Sequence, residues 1–191
     1  MYRIDVLLKS QRNYIRQFIR SPRTIGTLVP SSPWLCRAMV SSVSWGNITR
    51  VAELGAGEGV LTRKILTMMP NDAKLDAYEI DPSFLKTLSR INDSRLQIIP
   101  HSAELLEQRY DIIFSCLPLL SLPPRIRLKI LKKASIQLTP NGSFIQFQYT
   151  HGSEKSLSRF FSWEKVFEVR NFPPAWVYSC KAMQQETCLP G

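Results

Sequence analysis

Residues 51–66, VAELGAGEGVLTRKIL, place three glycines at alternate positions between a β-rich run and a helical one. Such a loop lets a ligand approach bare backbone. A dinucleotide fingerprint counted from Gly55 and Gly57 needs glycine at 60, where Val60 stands, and no G-K-[ST] of a phosphate-binding loop follows. Instead Glu53 precedes the glycines and Glu58 sits among them. Carboxylates repel a pyrophosphate and suit a cationic ligand. Glu79, twenty residues after Gly59, closes the next β-rich run, where an acid can accept both hydroxyls of a ribose. A nucleoside without phosphate and with a positive charge is S-adenosylmethionine, which becomes S-adenosylhomocysteine on losing its methyl group. The alternative is a tight turn with Glu79 as a surface acid.

The elements that must position these residues follow from periodicity. Strands are expected at 50–54, 74–80, 96–100, 110–115, 143–149, 165–170 and 175–182, and helices at about 60–69, 82–90 and 124–138, the last ended by TPNG. This alternation predicts a doubly wound α/β sheet of seven strands, mostly parallel. RNFPPA leaves no room for a helix between the last two strands, so they should form an antiparallel hairpin. SSPWLCRAMVSSV should start a helix with Ser32 as N-cap and Pro33 in its first turn. The expected division is residues 1–45, amino-terminal helices that cap the substrate, and 46–191, the catalytic core.

Composition narrows the setting. The 191 residues, 44% hydrophobic, suffice for one sizeable core. Cys36, Cys116, Cys180 and Cys188 form no CxxC pair and read as reduced thiols, with neither a disulfide framework nor a metal site expected. No apolar run approaches the roughly 18 to 20 residues that span a bilayer. The net charge is +10, and residues 1–37 carry seven basic residues against Asp5. Such an end favours polyanions, RNA or anionic lipid, although many basic proteins have no such partner. On a helical wheel of residues 1–20, Met1, Ile4, Leu7, Leu8, Tyr14, Ile15, Phe18 and Ile19 share an arc of about 140°, with Lys9, Arg12, Arg16 and Arg20 opposite. That pattern suits a helix lying in a membrane interface, or one packing its apolar arc on the sheet. Arg125, Arg127, Lys129, Lys132 and Lys133 read as a solvated helix face, with contact to lipid headgroups as the alternative.

Glu53-x-Gly55-x-Gly57-x-Gly59 followed by Glu79 resembles the class I S-adenosylmethionine-dependent methyltransferases. The resemblance implies that Gly55 and Gly57 admit the methionine and ribose parts and that Gly59 lets the helix pack closely. It further implies that Glu53 orients the methionine amino group, that Glu79 with Ile80 grips the ribose, and that Ser102 and Ala103 meet the adenine. Relatives usually have Gly-Asp-Ala where this chain has His101-Ser102-Ala103, so a serine replaces the aspartate. Relatives that methylate bases or amides carry Asn/Asp-Pro-Pro-Tyr after the fourth strand. Here the loop is Ser115-Cys116-Leu117-Pro118-Leu119-Leu120, with neither amide nor aromatic platform for a flipped base.

The segments FIRSPRTIGTLVPSS, ELGAGEGVLT, FSCLPLLSLPP, FIQFQY and NFPPAWV together resemble the bacterial phospholipid N-methyltransferases. That family methylates phosphatidylethanolamine stepwise toward phosphatidylcholine. The resemblance implies a phospholipid substrate, an anionic membrane partner and no nucleic acid, on the inner face of the cytoplasmic membrane. It places the amine against Ser115 and the Leu117 backbone, with Tyr149 and His151 as candidates for the proton or, for Tyr149, for cation–π attraction. Arg12, Arg16, Arg20, Phe18 and Ile19 would meet the lipid. A ribosomal RNA adenine methyltransferase and a non-catalytic binding module are the alternatives.

Overall fold

The computed structural model describes residues 32–183. Within it are α1 (Pro33–Ser41), β1 (Arg50–Leu54), α2 (Val60–Met68), β2 (Lys74–Tyr78), α3 (Pro82–Leu88), β3 (Leu96–Ile99), β4 (Tyr110–Ser115), α4 (Pro124–Gln137), β5 (Leu138–Gln148), α5 (Glu154–Leu157), β6 (Phe161–Glu168) and β7 (Ala175–Ala182). The strands form one sheet in the order β3-β2-β1-β4-β5-β7-β6. The first five are parallel, and β7 runs antiparallel between β5 and β6. The strand order reverses at β1, beside β4, which is where such sheets open a crevice beyond their carboxyl ends. The seven-stranded sheet and the terminal hairpin agree with the sequence expectation.

Both faces of the sheet are covered, and β1 and β4 are accordingly buried at nearly every position rather than at alternate ones. One core joins Leu54, Ile113, Phe144 and Tyr178 to Ile130 and Leu131 of α4. The other joins Val51, Phe114, Ile145 and Val177 to Ile65 of α2 and to Leu35, Met39 and Val40 of α1. Helix α1 is therefore an integral layer of the core. It starts as read from sequence: the Ser32 hydroxyl accepts from the Leu35 amide at 3.2 Å, and Pro33 opens the first turn.

Several boundaries differ from expectation, three of them with consequences for the fold or the site. Strand β5 begins at Leu138, directly after α4, and TPNG lies inside it. Leu138 pairs with Tyr110 and Ser143 with Ile112, so residues between them bulge from the strand instead of ending it. Strand β6 spans 161–168 rather than 165–170, because Phe161 stacks on Phe144 with ring centroids 5.0 Å apart and draws the pairing back toward its start. Strand β2 stops at Tyr78, which leaves Glu79 in the turn beyond it. Residues 1–31 and 184–191 lie outside the described residues, and with them the expectations for Arg12, Arg16, Arg20, Phe18, Ile19, Tyr14 and Cys188.

Candidate active site

The carboxyl ends of β1, β2 and β4 and the turn after β3 enclose a cleft of about 680 Å³, open to solvent. Gly55, Gly57, Glu79, Ile80, Ser102, Ala103 and Leu117 all line it, alongside Phe84, His101, Cys116 and Pro118. Seven positions named from the sequence thus converge in space, although they are spread over more than sixty residues.

The three glycines have positive φ, at 76°, 53° and 77°, in the left-handed region that side chains disfavour. Their surroundings separate their roles. A Cβ on Gly55 would come within 2.8 Å of Leu117 Cδ2, so Gly55 exists to let the loop after β4 close over β1. A Cβ on Gly59 would meet Leu88 at 2.9 Å and Ile91 at 3.0 Å, so that glycine serves packing against α3 and the turn after it. Nothing lies within 4 Å of a Cβ on Gly57. Its space opens on the cleft that Gly57 lines, so no neighbouring side chain explains the glycine there.

Glu79 is a buried organiser and not a surface acid. Its Oε2 accepts from the Gly57 amide at 2.8 Å, and its Oε1 accepts from the amides of Ile80 and Asp81 at 2.7 and 2.8 Å. A carboxylate offers about four lone-pair sites, so it ties the glycine loop to β2 and keeps acceptor capacity for a hydroxyl. Glu79→Ala is expected to weaken cofactor binding at least tenfold and to lower stability by about 1–3 kcal/mol, since the Gly57, Ile80 and Asp81 amides lose their acceptor. Calorimetric titration and thermal unfolding of the same variant measure both.

Glu53 is fully buried at the end of β1. Thr62 of α2 donates to its Oε2 at 2.6 Å, whereas Oε1 has no partner. Burial, outweighing the Thr62 hydrogen bond and reinforced by the charge of Glu79, pushes its pKa up to about 8. The Cys36 thiol, raised to about 12 by burial and then by Glu53, lies in the same electrostatic neighbourhood. Oε1 of Glu53 is thus a buried acceptor with capacity left for a donor, although Glu53 itself is not among the residues that line the cleft. Ser102 caps the turn Ala103–Leu105: its hydroxyl accepts from the Glu104 amide and donates to Glu104 Oε2, each at 3.3 Å. It lines the cleft with Ile80 and Ala103, which form an apolar slot suited to a flat base.

The remaining candidates separate. Ser115 is fully buried, and its Oγ lies 3.4 Å from the Leu117 amide, so it shapes the loop from behind. The Leu117 carbonyl, expected to face an amine, already accepts from Gln146 Nε2 at 3.2 Å and Gln148 Nε2 at 3.5 Å. Sequence reading missed these two glutamines. The signal was present: polar residues at i and i+2 of an apolar strand point to one face and, when buried, need a partner. Gln146 also donates to the Phe147 carbonyl at 2.7 Å, and its own Oε1 is buried without a partner. His151 is 2.7 Å from Glu154 Oε1 and 3.1 Å from Lys165 Nζ and packs on Trp176, and it is not among the residues that line the cleft. Tyr149, half-buried beside Cys116 and Asn171, has a phenol with no hydrogen bond of sound geometry. Burial raises its pKa, so it is a neutral phenol at neutral pH.

The chain is 30% identical over 184 residues, 90% of its length, to the ornithine lipid N-methyltransferase of Singulisphaera acidiphila, of which it covers 96%. The chain belongs to that family, within the class I S-adenosylmethionine-dependent methyltransferases. No family model matches it. The fold is shared with the N-methyltransferase NodS of Bradyrhizobium japonicum in complex with S-adenosylhomocysteine, with a TM-score of 0.67 at 11% identity over 91% of this chain and 98% of that one. It is also shared with the 1,6-didemethyltoxoflavin-N1-methyltransferase of Burkholderia thailandensis, with a TM-score of 0.67 at 15% identity over 91% and 88% of the two chains. The cofactor of this methyltransferase is S-adenosylmethionine. The residues present fit it: an unpartnered buried carboxylate for an ammonium, open space above Gly57 for the chain of the ligand, Glu79 for hydroxyls and an apolar slot for a base.

Proposed function

We propose that the chain methylates the primary amine of a membrane lipid, an ornithine-type headgroup ahead of phosphatidylethanolamine. The observation that carries this reading is the wall built by the loop after β4. Cys116, Leu117 and Pro118 present no aromatic ring and no amide, and Gln146 and Gln148 take up the Leu117 carbonyl. A flipped base needs a flat platform; an alkylamine needs none. The name of the Singulisphaera relative supports the ornithine headgroup. The likeness of SCLPLL and NFPPAWV to phospholipid N-methyltransferases is what favours phosphatidylethanolamine as the second reading.

When bound, S-adenosylmethionine supplies a sulfonium-linked methyl group to an amine lone pair and leaves as S-adenosylhomocysteine. The protein's part is alignment and removal of water. Glu53, Gly57 and Glu79 hold the donor, with Ile80, Ser102 and Ala103 against its base. Gln146 and Gln148 pin the loop whose Leu117 closes on Gly55, which fixes the width of the reaction chamber. A phenol with a raised pKa cannot serve as a base at neutral pH, and Tyr149 is not among the residues that line the cleft. With no base in that position, the acceptor must arrive with its proton already lost to water. The rate is therefore expected to rise about tenfold per pH unit below the pKa of the amine, near 10 for an alkylammonium. Single-turnover rates at saturating cofactor from pH 6 to 9 measure this slope, and a plateau near pH 7 would instead reveal a protein base.

The deciding experiment offers methyl-labelled cofactor to vesicles that contain ornithine lipid and phosphatidylethanolamine together, followed by separation of the lipids. Label in ornithine lipid supports the first reading and label in phosphatidylethanolamine the second. Label only in added ribosomal RNA, or none with cofactor bound, rejects both.

A further inference from the structure

Ten large apolar side chains are exposed among the described residues. Met68, Ile136 and Met183 stand where α2, α4 and β7 finish, at the amino-terminal end of the parallel strands. The other seven lie at or near the opposite end, where the cleft opens. The turn between β6 and β7 carries the most prominent: Phe172 is 87% and Val169 64% exposed, and at the end of β6 Val166, 69% exposed, and Phe167 project from opposite faces of the strand. This turn stands at the carboxyl edge because β7 is antiparallel to β5, so that Trp176 pairs with Gln148, the last residue of β5. Trp34, at the start of α1, joins the same rim, with the Arg170 guanidinium 4.6 Å above its ring. Leu120, in the turn after β4, lies exposed where that loop leaves the cleft wall.

A patch of this kind on one end of a soluble fold marks a docking surface. We infer that the β6–β7 turn and its neighbours insert into the lipid bilayer, forming a membrane contact made by the described residues. The inference rests on the lipid-amine reading: a headgroup that enters the cleft while its acyl chains remain in the membrane requires the bilayer to face this end of the sheet. The aromatic side chains here, Trp34, Phe167, Phe172 and Trp176, suit the headgroup level, and aliphatic Val169 and Leu120 suit the acyl boundary. Arg170 pairs with Glu168 at 2.8 Å, so the turn itself contributes apolar contact more than charge. A protein partner seated on the same rim would stand over the mouth of the cleft and bar the substrate.

The test uses the full chain and vesicles of phosphatidylglycerol and phosphatidylcholine that hold no primary-amine lipid, so attachment is scored apart from turnover. Phe172→Ser with Val169→Ser is expected to reduce vesicle flotation tenfold or more, since each change removes an inserted apolar side chain. Phe172→Trp should gain emission that brominated phosphatidylcholine quenches. Methyl transfer to a monomeric short-chain lipid amine should survive the double change. Parental flotation by the double variant, or unquenched emission from Phe172→Trp, would overturn the inference. So would a parental dimer that the double variant dissolves, which would assign the patch to a second copy. Failure of the parent to methylate any lipid amine while it still inserts Phe172→Trp would refute the substrate reading and leave the membrane contact standing.

Discussion

Gly57→Ala is expected to reduce affinity for S-adenosylmethionine about a hundredfold while costing the unliganded protein only about 1–2 kcal/mol, the strain of a side chain at φ 53°. The added methyl group meets nothing in the protein. It occupies the space through which a ligand must approach bare backbone. The neighbouring glycines supply the contrast. Gly55→Ala drives a methyl group into Leu117, and Gly59→Ala drives one into Leu88 and Ile91, so both should lose stability beyond the φ term, by a further 1–3 kcal/mol. Titration calorimetry with S-adenosylhomocysteine and thermal unfolding of the three variants give the pattern. Equal losses of stability at all three positions, or parental binding by Gly57→Ala, would remove Gly57 from the site.

Glu53→Gln should change the response to pH more than any other single substitution. In the parent, the folded pKa of about 8 exceeds the ordinary value of 4.5 because the charged form is desolvated. The folded state therefore holds a proton that the unfolded state releases between these values. The stabilisation is complete below about pH 4.5 and is lost as pH rises through 8, a change on the order of several kcal/mol. Glutamine does not titrate, so the melting temperature of Glu53→Gln should fall much less between pH 5 and 8.5. Binding has the opposite slope. A cofactor ammonium favours the charged carboxylate, so affinity of the parent should rise by up to tenfold per pH unit toward pH 8. The variant should bind weakly and without that slope. Melting curves and titrations with S-adenosylhomocysteine at pH 6, 7 and 8 test both halves. Parallel curves for parent and variant would mean that Glu53 keeps its charge in the unliganded protein.

Elements whose causes are local were legible in the residues alone. The alternate glycines, the apolar run before them and Glu79 twenty residues on specify a strand, a left-handed loop and a second strand end. Ser32 and Pro33 specify a helix start within four residues. Periodicity places β1, β4 and β7 at the bounds the structure has, because each strand is apolar enough to be told from its flanks. The rest depends on contacts between distant segments. Gln146 meets the Leu117 carbonyl across 29 residues, and that contact fills the acceptor that the sequence had assigned to an amine. Glu154 draws in His151 together with Lys165 and Tyr178, and a histidine that looked close to the strand ends in sequence is engaged by this cluster and does not line the cleft. The three glycines are alike in spacing and in φ; they differ in what a side chain would touch, which Leu117, Leu88 and Ile91 decide. The antiparallel insertion of β7 between β5 and β6 turns NFPPAWV toward the mouth of the cleft. A sequence records which side chains are apolar, but only the packed sheet decides which of them are left facing water, and on which end.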